Sequence, residues 1–215
     1  MNLSERPAGI TKLIAGRLCL DFVNSVYARV IDMAIEKNNI SSDKINDYID
    51  LLAWSEHVGL LTEAEAQTLV REARQYEKEA TNVLNRAIEL REAIYRICKA
   101  IIIKEQPRTY DIDRLNEEID VAYRHQRLVS IKGSFTWQWD RSKTALDRML
   151  WSIADSAAEL LTLGDLTRLR ECGGENCGWL FEDTSRNRSR QWCDMQDCGN
   201  LAKVRRFRSR KNSSK

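Results

Sequence analysis

Four cysteines near the C-terminus constrain this chain more than any other feature. Cys172 and Cys177, then Cys193 and Cys198, form two C-x4-C pairs separated by fifteen residues. A terminal module of about 45 residues cannot bury enough apolar surface to hold itself together without a staple. Two short-spaced cysteine pairs joined by a loop bring four soft ligands together from two turns, which is what tetrahedral zinc requires. The spacing predicts one structural Zn2+ held by these four thiolates. Both pairs end in Cys-Gly, at Gly178 and Gly199, where glycine permits a turn that aims backbone N–H groups at sulfur.

The surroundings of the cysteines are basic. Residues 186–215 hold ten Lys and Arg against two Asp, a local charge of +8; the whole chain carries only +2, so residues 1–185 sum to −6. A basic tail on an acidic body points to a polyanionic partner, DNA first. There is no run of eighteen apolar residues, and the N-terminus lacks the order of a secretory signal. A cytoplasmic protein with no membrane partner is expected. In a reducing compartment six cysteines favour metal ligation and isolated thiols over disulfides. Cys19 and Cys98, in separate helical stretches, are expected to be buried thiols.

Helical periodicity dominates from residue 10 to 171, so the fold class is mainly α. Leu18, Phe22, Ser25 and Val26 share one face of a first helix, and Ile45, Ile49, Leu52 and Leu60 continue an amphipathic pattern around Trp54. Thr62 followed by Glu65 is a capping box for a third helix reaching roughly Tyr76. Val83 to Ile103 carries apolar residues at helical spacing and should be the centre of a bundle, ended by Pro107. A further helix is expected over Asp111 to His125. The stretch LVSIKGSFTWQWD from Leu128 breaks the rhythm: Lys132-Gly133 is a turn signal, and Phe135, Trp137 and Trp139 alternate on one strand face, predicting a β-hairpin. Helix resumes from about Lys143 to Leu163, and a short helix from Asp165 delivers Glu171 to the first cysteine. The expected architecture is a multihelical N-terminal domain (1–165) with a β-hairpin insertion, then a small four-cysteine zinc finger (166–215) of hairpin plus basic helix.

Within the finger, Trp179 to Phe181 and Arg190 to Trp192 read as two short strands around a turn, and Asn200 as the cap of the final helix. On a helical wheel Leu201, Val204 and Phe207 fall in one arc, expected to dock near Trp179 and Trp192. Lys203, Arg206 and Arg210 lie opposite. Arg208 falls on the docking side, where it is expected to snorkel or to pair with a carboxylate such as Glu182 or Asp183. Arg186, Arg188 and Arg190 alternate, so an extended strand would project them on one face. The candidate nucleic-acid contacts are therefore Arg186, Arg188, Arg190, Lys203, Arg206 and Arg210. The preference for arginine over lysine favours recognition rather than mere solubility.

The segment Cys172 to Arg210, with its WLFEDTSRNRSRQWC core followed by CGN and a basic helix, resembles the bacterial CGNR zinc finger family. That family places an ABATE domain before the finger. GRLCLDFVNS at Gly16 to Ser25, LLAWSEHVGLL and ADSAAELLTLGDLTRLREC resemble it in turn, so the likeness covers nearly the whole chain. It implies a stress-related transcription regulator with a helical N-terminal domain and a DNA-binding finger. One residue departs: the family's name-giving arginine is Leu201 here. By the wheel, position 201 lies on the docking face, so either the family arginine is structural and Leu201 substitutes for it by apolar packing, or it contacts DNA and the affinity or sequence preference of this member should differ.

Asp21 and Asn24 sit one turn apart in an otherwise apolar helix. Such groups satisfy buried backbone, the reading favoured, or line a pocket. With Trp54, His57 and Trp151 they are the candidate effector cavity of a body that senses a small molecule or forms a homodimer. The principal functional expectation is a zinc-containing DNA-binding regulator. The alternative is a zinc-finger interaction module acting on transcription or stress machinery without touching DNA. RNA, stacked on Trp179, Phe181 and Trp192, is a third reading, although these rings are expected in the small core. His57 and His125 lack a nucleophile motif, so no catalytic residue is expected and the chain does not read as an enzyme.

Overall fold

The computed structural model describes residues 3–27, 43–140 and 144–212, with side chains as far as Ser209. Among the described residues six helices make the body: α1 (Leu18–Val23), α2 (Tyr48–His57), α3 (Glu63–Gln75), α4 (Glu77–Ile102), α5 (Thr109–Arg124) and α6 (Arg148–Leu163). Helix α4 is the axis, as its periodicity requires: Ala80, Val83, Ala87, Leu90, Ile94 and Ile97 recur every three or four positions and are buried. Helices α1, α2, α5 and α6 all pack against it. Each large aliphatic in that stripe contributes about 1.5–3 kcal/mol on burial, which fixes the rotation of α4 in the bundle. Phe22 of α1 and Trp54 of α2 meet at 5.0 Å between ring centroids in the same core. Buried charge in the helical body is paired. Arg91 on α4 donates to Ser25 Oγ (3.0 Å) and Asp43 Oδ1 (2.8 Å), and Glu118 on α5 accepts from Arg86 and Arg114.

Local signals set most boundaries. The Thr62–Glu65 capping box is formed in both directions, and α3 ends at Gln75 with Tyr76 as its C-cap. Helix α4 begins at Glu77, earlier than expected, because Tyr76 (φ −122°, ψ 56°) leaves the helical region for one residue only. Helix α1 is shorter than its pattern suggested: it stops at Val23, and Val26 instead bridges to Asp43. Helix α6 starts at Arg148; Lys143, where helix was expected to resume, lies outside the described residues. Strands β1 (Gln126–Ile131) and β2 (Ser134–Trp139) form the expected hairpin, with Leu128 opposite Trp137 and Ser130 opposite Phe135. Its two-residue loop places Lys132 (φ 49°) and Gly133 (φ 83°) in the left-handed region, the type I′ geometry that suits the right-handed twist of a hairpin.

The finger differs from expectation in its strands. Strand β4 (Leu180–Glu182) pairs not with Arg190–Trp192 but with β3 (Leu169–Glu171), antiparallel, Leu169 opposite Glu182. The helix expected from Asp165 shrinks to one 3-10 turn, Leu166–Arg168, capped by the Asp165 side chain on Thr167 N–H. A three-residue strand carries no readable period, and its partner here lies across the first cysteine loop. Helix α7 (Asn200–Asn212) follows directly on a π-helical turn, Met195–Gly199. The cap of that continuous run is Asp194, which accepts Gln196 N–H at 2.7 Å. Asn200 is already in helical geometry, and its amide donates back to Gln196 O. Among the described residues no helix is long and apolar enough to cross a membrane.

Candidate metal centre and nucleic-acid interface

Three chain segments deliver the cysteines. Strand β3 runs into Cys172, whose N–H bonds to Trp179 O at 2.8 Å, so the chain turns back immediately and carries Cys177 beside it. The segment after Arg190 brings Cys193, fixed by Gly173 N–H to Gln191 O at 2.9 Å, and the π-turn brings Cys198. All four Sγ atoms lie within 4.8 Å of one another. Cys193 Sγ is 3.6 Å from both Cys177 Sγ and Cys198 Sγ. Four sulfurs at about 2.3 Å around one tetrahedral ion stand about 3.8 Å apart, so the donor set fits zinc in number, element and spacing. The close approach demands glycine at Gly174, where a Cβ would lie 3.0 Å from Cys198 Sγ and 3.1 Å from Cys177 Cβ. Gly178 (φ 68°) makes the left-handed turn expected after the first pair. Gly199 does otherwise: it sits in the π-turn against Met195 and Trp192.

The electrostatics of the cluster call for a cation. Hydrogen bonds from Cys177 and Cys193 favour the thiolate of Cys172 and hold it well below the usual thiol range, helped by N–H donors from Cys193 (3.2 Å) and Gly174 (3.4 Å). The same contacts push Cys193 up, and contact with Cys172 pushes Cys177 up to about 12. Four thiolates this close would repel one another, and a bound divalent ion is what lets all four ionise. Cys172 and Cys193 are buried, while Cys177 and Cys198 are half-buried. The four cysteines form a tetrahedral zinc site, closed by its own ligands and therefore structural.

The finger's base is built into the body. Asn24 at the end of α1 acts as a backbone surrogate for β4: its Nδ2 donates to Leu180 O (2.8 Å) and its Oδ1 accepts Leu180 N–H (2.9 Å), all of it buried. Trp179 Nε1 donates to Val26 O at 2.8 Å. Asp21 accepts Ala15 N–H at 2.9 Å. That bond shapes the preceding turn so that Ala15 O accepts Glu182 N–H (2.8 Å) and Ile14 O accepts Arg190 Nη2 (2.9 Å). Burial raises the Asp21 carboxyl pKa despite that N–H donor. Arg17 pairs with Glu182 at 2.8 Å. Leu169, Trp179, Leu180 and Phe181 join the same buried cluster as the helices. Lys12, which no sequence pattern marks out, reaches Asp194 and Asp197 at 2.6 Å each and ties the start of the basic arm to the N-terminal segment.

The basic residues separate into distinct environments. Arg190, expected to face a nucleic acid, turns inward: its guanidinium stacks 4.2 Å over Phe181 and donates to the carbonyls of Ile14, Trp192 and Cys193. Arg188, at φ 51°, bonds Thr167 and Asp165 while half its side chain stays in water. Arg186, Lys203 and Arg206 are exposed, and the side chain of Arg210 lies outside the described residues. Arg205 pairs with Glu175. Arg208 stands exposed, for Glu182 is taken by Arg17, and Asp183 is buried accepting Ser185 and Arg190 N–H. The apolar ridge of α7 does not dock: Leu201, Val204 and Phe207 are all exposed, Phe207 at 70 %. A wheel identifies which residues share a face but not whether anything stands opposite.

The five candidate effector residues do not converge. Asp21 and Asn24 serve the finger seam. Trp54 is fully buried against Phe22, Trp151 is buried and stacks on His125 at 3.9 Å, and His57 lies exposed with its Nε2 2.7 Å from Thr11 O. The thiols of Cys19 and Cys98 are buried, and burial pushes Cys19 up to about 12. The comparisons agree with the geometry. Residues 16–164 match the ABATE family, described as "Putative stress-induced transcription regulator", and residues 168–211 match the CGNR zinc finger. These families are of regulator and zinc-finger type rather than known enzymes. No curated protein matches the chain. With the body matched over most of the chain and the zinc site directly after it, the protein belongs to the ABATE family and carries a C-terminal CGNR zinc finger.

Proposed function

We propose that this protein is a cytoplasmic, zinc-scaffolded transcription regulator that binds duplex DNA through α7. The observation that carries the reading is the contrast in exposure along the finger. Its base is buried in the body, yet α7 leaves the metal site with Lys203, Arg205, Arg206 and Arg208 in solvent and packs chiefly on the turn before it. The metal performs no chemistry here; it fixes the direction in which the arm leaves. Arg186, Arg188, Lys203, Arg206 and Arg210 are the proposed contacts, mostly to phosphate. Arg190 is left out, because three carbonyls and a ring already hold it. The body supplies anchorage and subunit pairing. Effector sensing gains no support from Asp21, Asn24, Trp54, His57 and Trp151, which serve different places in the core and seam.

Salt dependence tests this directly. The zinc-loaded chain should bind duplex DNA with an affinity that falls steeply as salt rises, by about 0.9 in log–log slope per phosphate neutralised. Replacing Lys203 and Arg206 by Ala should lower the slope by roughly two. Unchanged binding in that variant would remove α7 from the interface. The exposed ridge Leu201–Val204–Phe207 supports a second reading, in which α7 lays an apolar face on a protein of the transcription machinery. Under that reading the Lys203/Arg206 variant keeps its partner, whereas Val204→Ser with Phe207→Ser loses it.

A further inference from the structure

The β1–β2 hairpin carries an apolar face that no other described residue covers beyond its base. The register puts Leu128 directly opposite Trp137, with Phe135 one pair towards the tip and Trp139 one pair towards the base, all on one side of the ribbon. Only the base is held. Trp139 is half-buried and meets Trp151 at 6.1 Å, and Trp151 stacks on His125. Beyond it Phe135 is 72 % exposed, Trp137 63 % and Leu128 57 %. An isolated two-stranded ribbon is marginal in water, and three large apolar side chains in solvent add nothing to its stability.

We infer that this face is the homodimer contact: two copies pack hairpin on hairpin about a two-fold axis near Trp137. The inference names the partner and surface for the pairing role given to the body above. It is tested without DNA, so it can fail while the DNA reading stands, and the reverse. The area suits a second copy. A fully buried aromatic removes 150–250 Å² from water, so the exposed parts of Phe135, Trp137 and Leu128 offer roughly 350–450 Å² per copy. With the flanking Gln126 and Ser130 on the same face, the pair reaches about 1,000 Å², the threshold for a specific but reversible dimer. Composition suits it as well, since aromatic residues at the centre and small polar ones around them are the pattern of a protein contact. Nucleic acid suits it less. Arg127 points to the opposite side of the ribbon and Lys132 sits at the tip, so among the described residues of the hairpin the aromatic face has no row of cations to follow a phosphate backbone.

Sedimentation equilibrium of the zinc-loaded full chain, free of nucleic acid, tests the inference. The expected mass is twice 24.9 kDa, dissociating on dilution. Phe135→Ser with Trp137→Ser should weaken the dimer about thirtyfold or more while helicity and zinc stoichiometry stay unchanged. Phe135→Lys should do the same by placing like charges across the axis, which keeps the test valid if the double variant misfolds. A control, Val204→Ser with Phe207→Ser on α7, should leave the dimer intact. A monomeric wild type at tens of micromolar, a dimer that survives both hairpin variants, or a dimer lost through the α7 control would each overturn the inference. A monomer whose affinity for single-stranded nucleic acid falls in the hairpin variants would overturn it in favour of base stacking.

Discussion

The two ends of the finger are built from opposite materials. At its base, Trp179, Leu180 and Phe181 are buried, and the strand they form is hydrogen-bonded to the body through Asn24, Val26, Ala15 and Arg17. At its far end, α7 exposes cations on one side and Leu201, Val204 and Phe207 on another. The four-cysteine site stands between them in the chain, with Cys172 and Cys193 buried and Cys177 and Cys198 half-buried. A small zinc module ordinarily depends on its ion alone for a core. Here one side of the module shares the core of a bundle, which leaves the ion the narrower task of orienting the other.

That contrast can be broken most severely at the ligands. Cys177→Ser should abolish stoichiometric zinc in metal analysis and release α7, while far-ultraviolet dichroism retains most of the helical signal from α1–α6. Acid should act likewise without a mutation: as pH falls, protons compete for four thiolates, so zinc release monitored with a chromogenic chelator should precede loss of body helicity. Next in size is Asn24→Ala. It strands the N–H and C=O of Leu180 in a buried seam, two groups at about 1–3 kcal/mol each, and should lower the melting temperature without lowering zinc content at equilibrium. Asn24→Asp keeps the acceptor for Leu180 N–H but loses the donor to its carbonyl, and should restore only part of the loss.

Arg190→Lys follows. An ammonium cannot serve three carbonyls and stack on Phe181 together, so a loss of about 1–3 kcal/mol is expected in denaturant unfolding. DNA binding measured on folded protein should change little. Smallest in stability is the pair Lys203→Ala and Arg206→Ala, expected within about 0.5 kcal/mol of wild type because both side chains are in solvent. Their effect belongs to binding alone. If Arg190→Lys instead removed DNA affinity while preserving stability, the division between base and arm would be wrong.

Local chemistry made the body legible from its sequence. The Thr62–Glu65 box, the stripe on α4 and the Lys132-Gly133 turn each need only neighbours within one or two turns of chain, and each formed. The cysteines were legible for a related reason, since ligand spacing is a local pattern even when the site is not. What stayed hidden depends on partners distant in sequence. Leu169–Glu171 extends a helical-looking run and becomes a strand only because Leu180–Glu182 lies beside it. Arg190 reads as one of three alternating cations until Ile14 O and the Phe181 ring are placed around it. Asp21 and Asn24 stand out in the sequence as polar intrusions in an apolar helix, but Asp21 satisfies Ala15 N–H in the segment before α1 and Asn24 reaches Leu180 across the seam, partners that helical spacing does not reveal. A wheel of α7 groups residues by face from spacing alone, whereas the exposure of Leu201, Val204 and Phe207 depends on what stands opposite them.

Hydrogen exchange of the zinc-loaded chain, with and without duplex DNA at low salt, addresses the division between buried base and displayed arm most directly. Protection gained over residues 200–209, with β3, β4 and the amides of the Asn24 seam unchanged, is the result expected. Protection confined to α1–α6 or the hairpin, with α7 exchanging as fast as in the free protein, would contradict it.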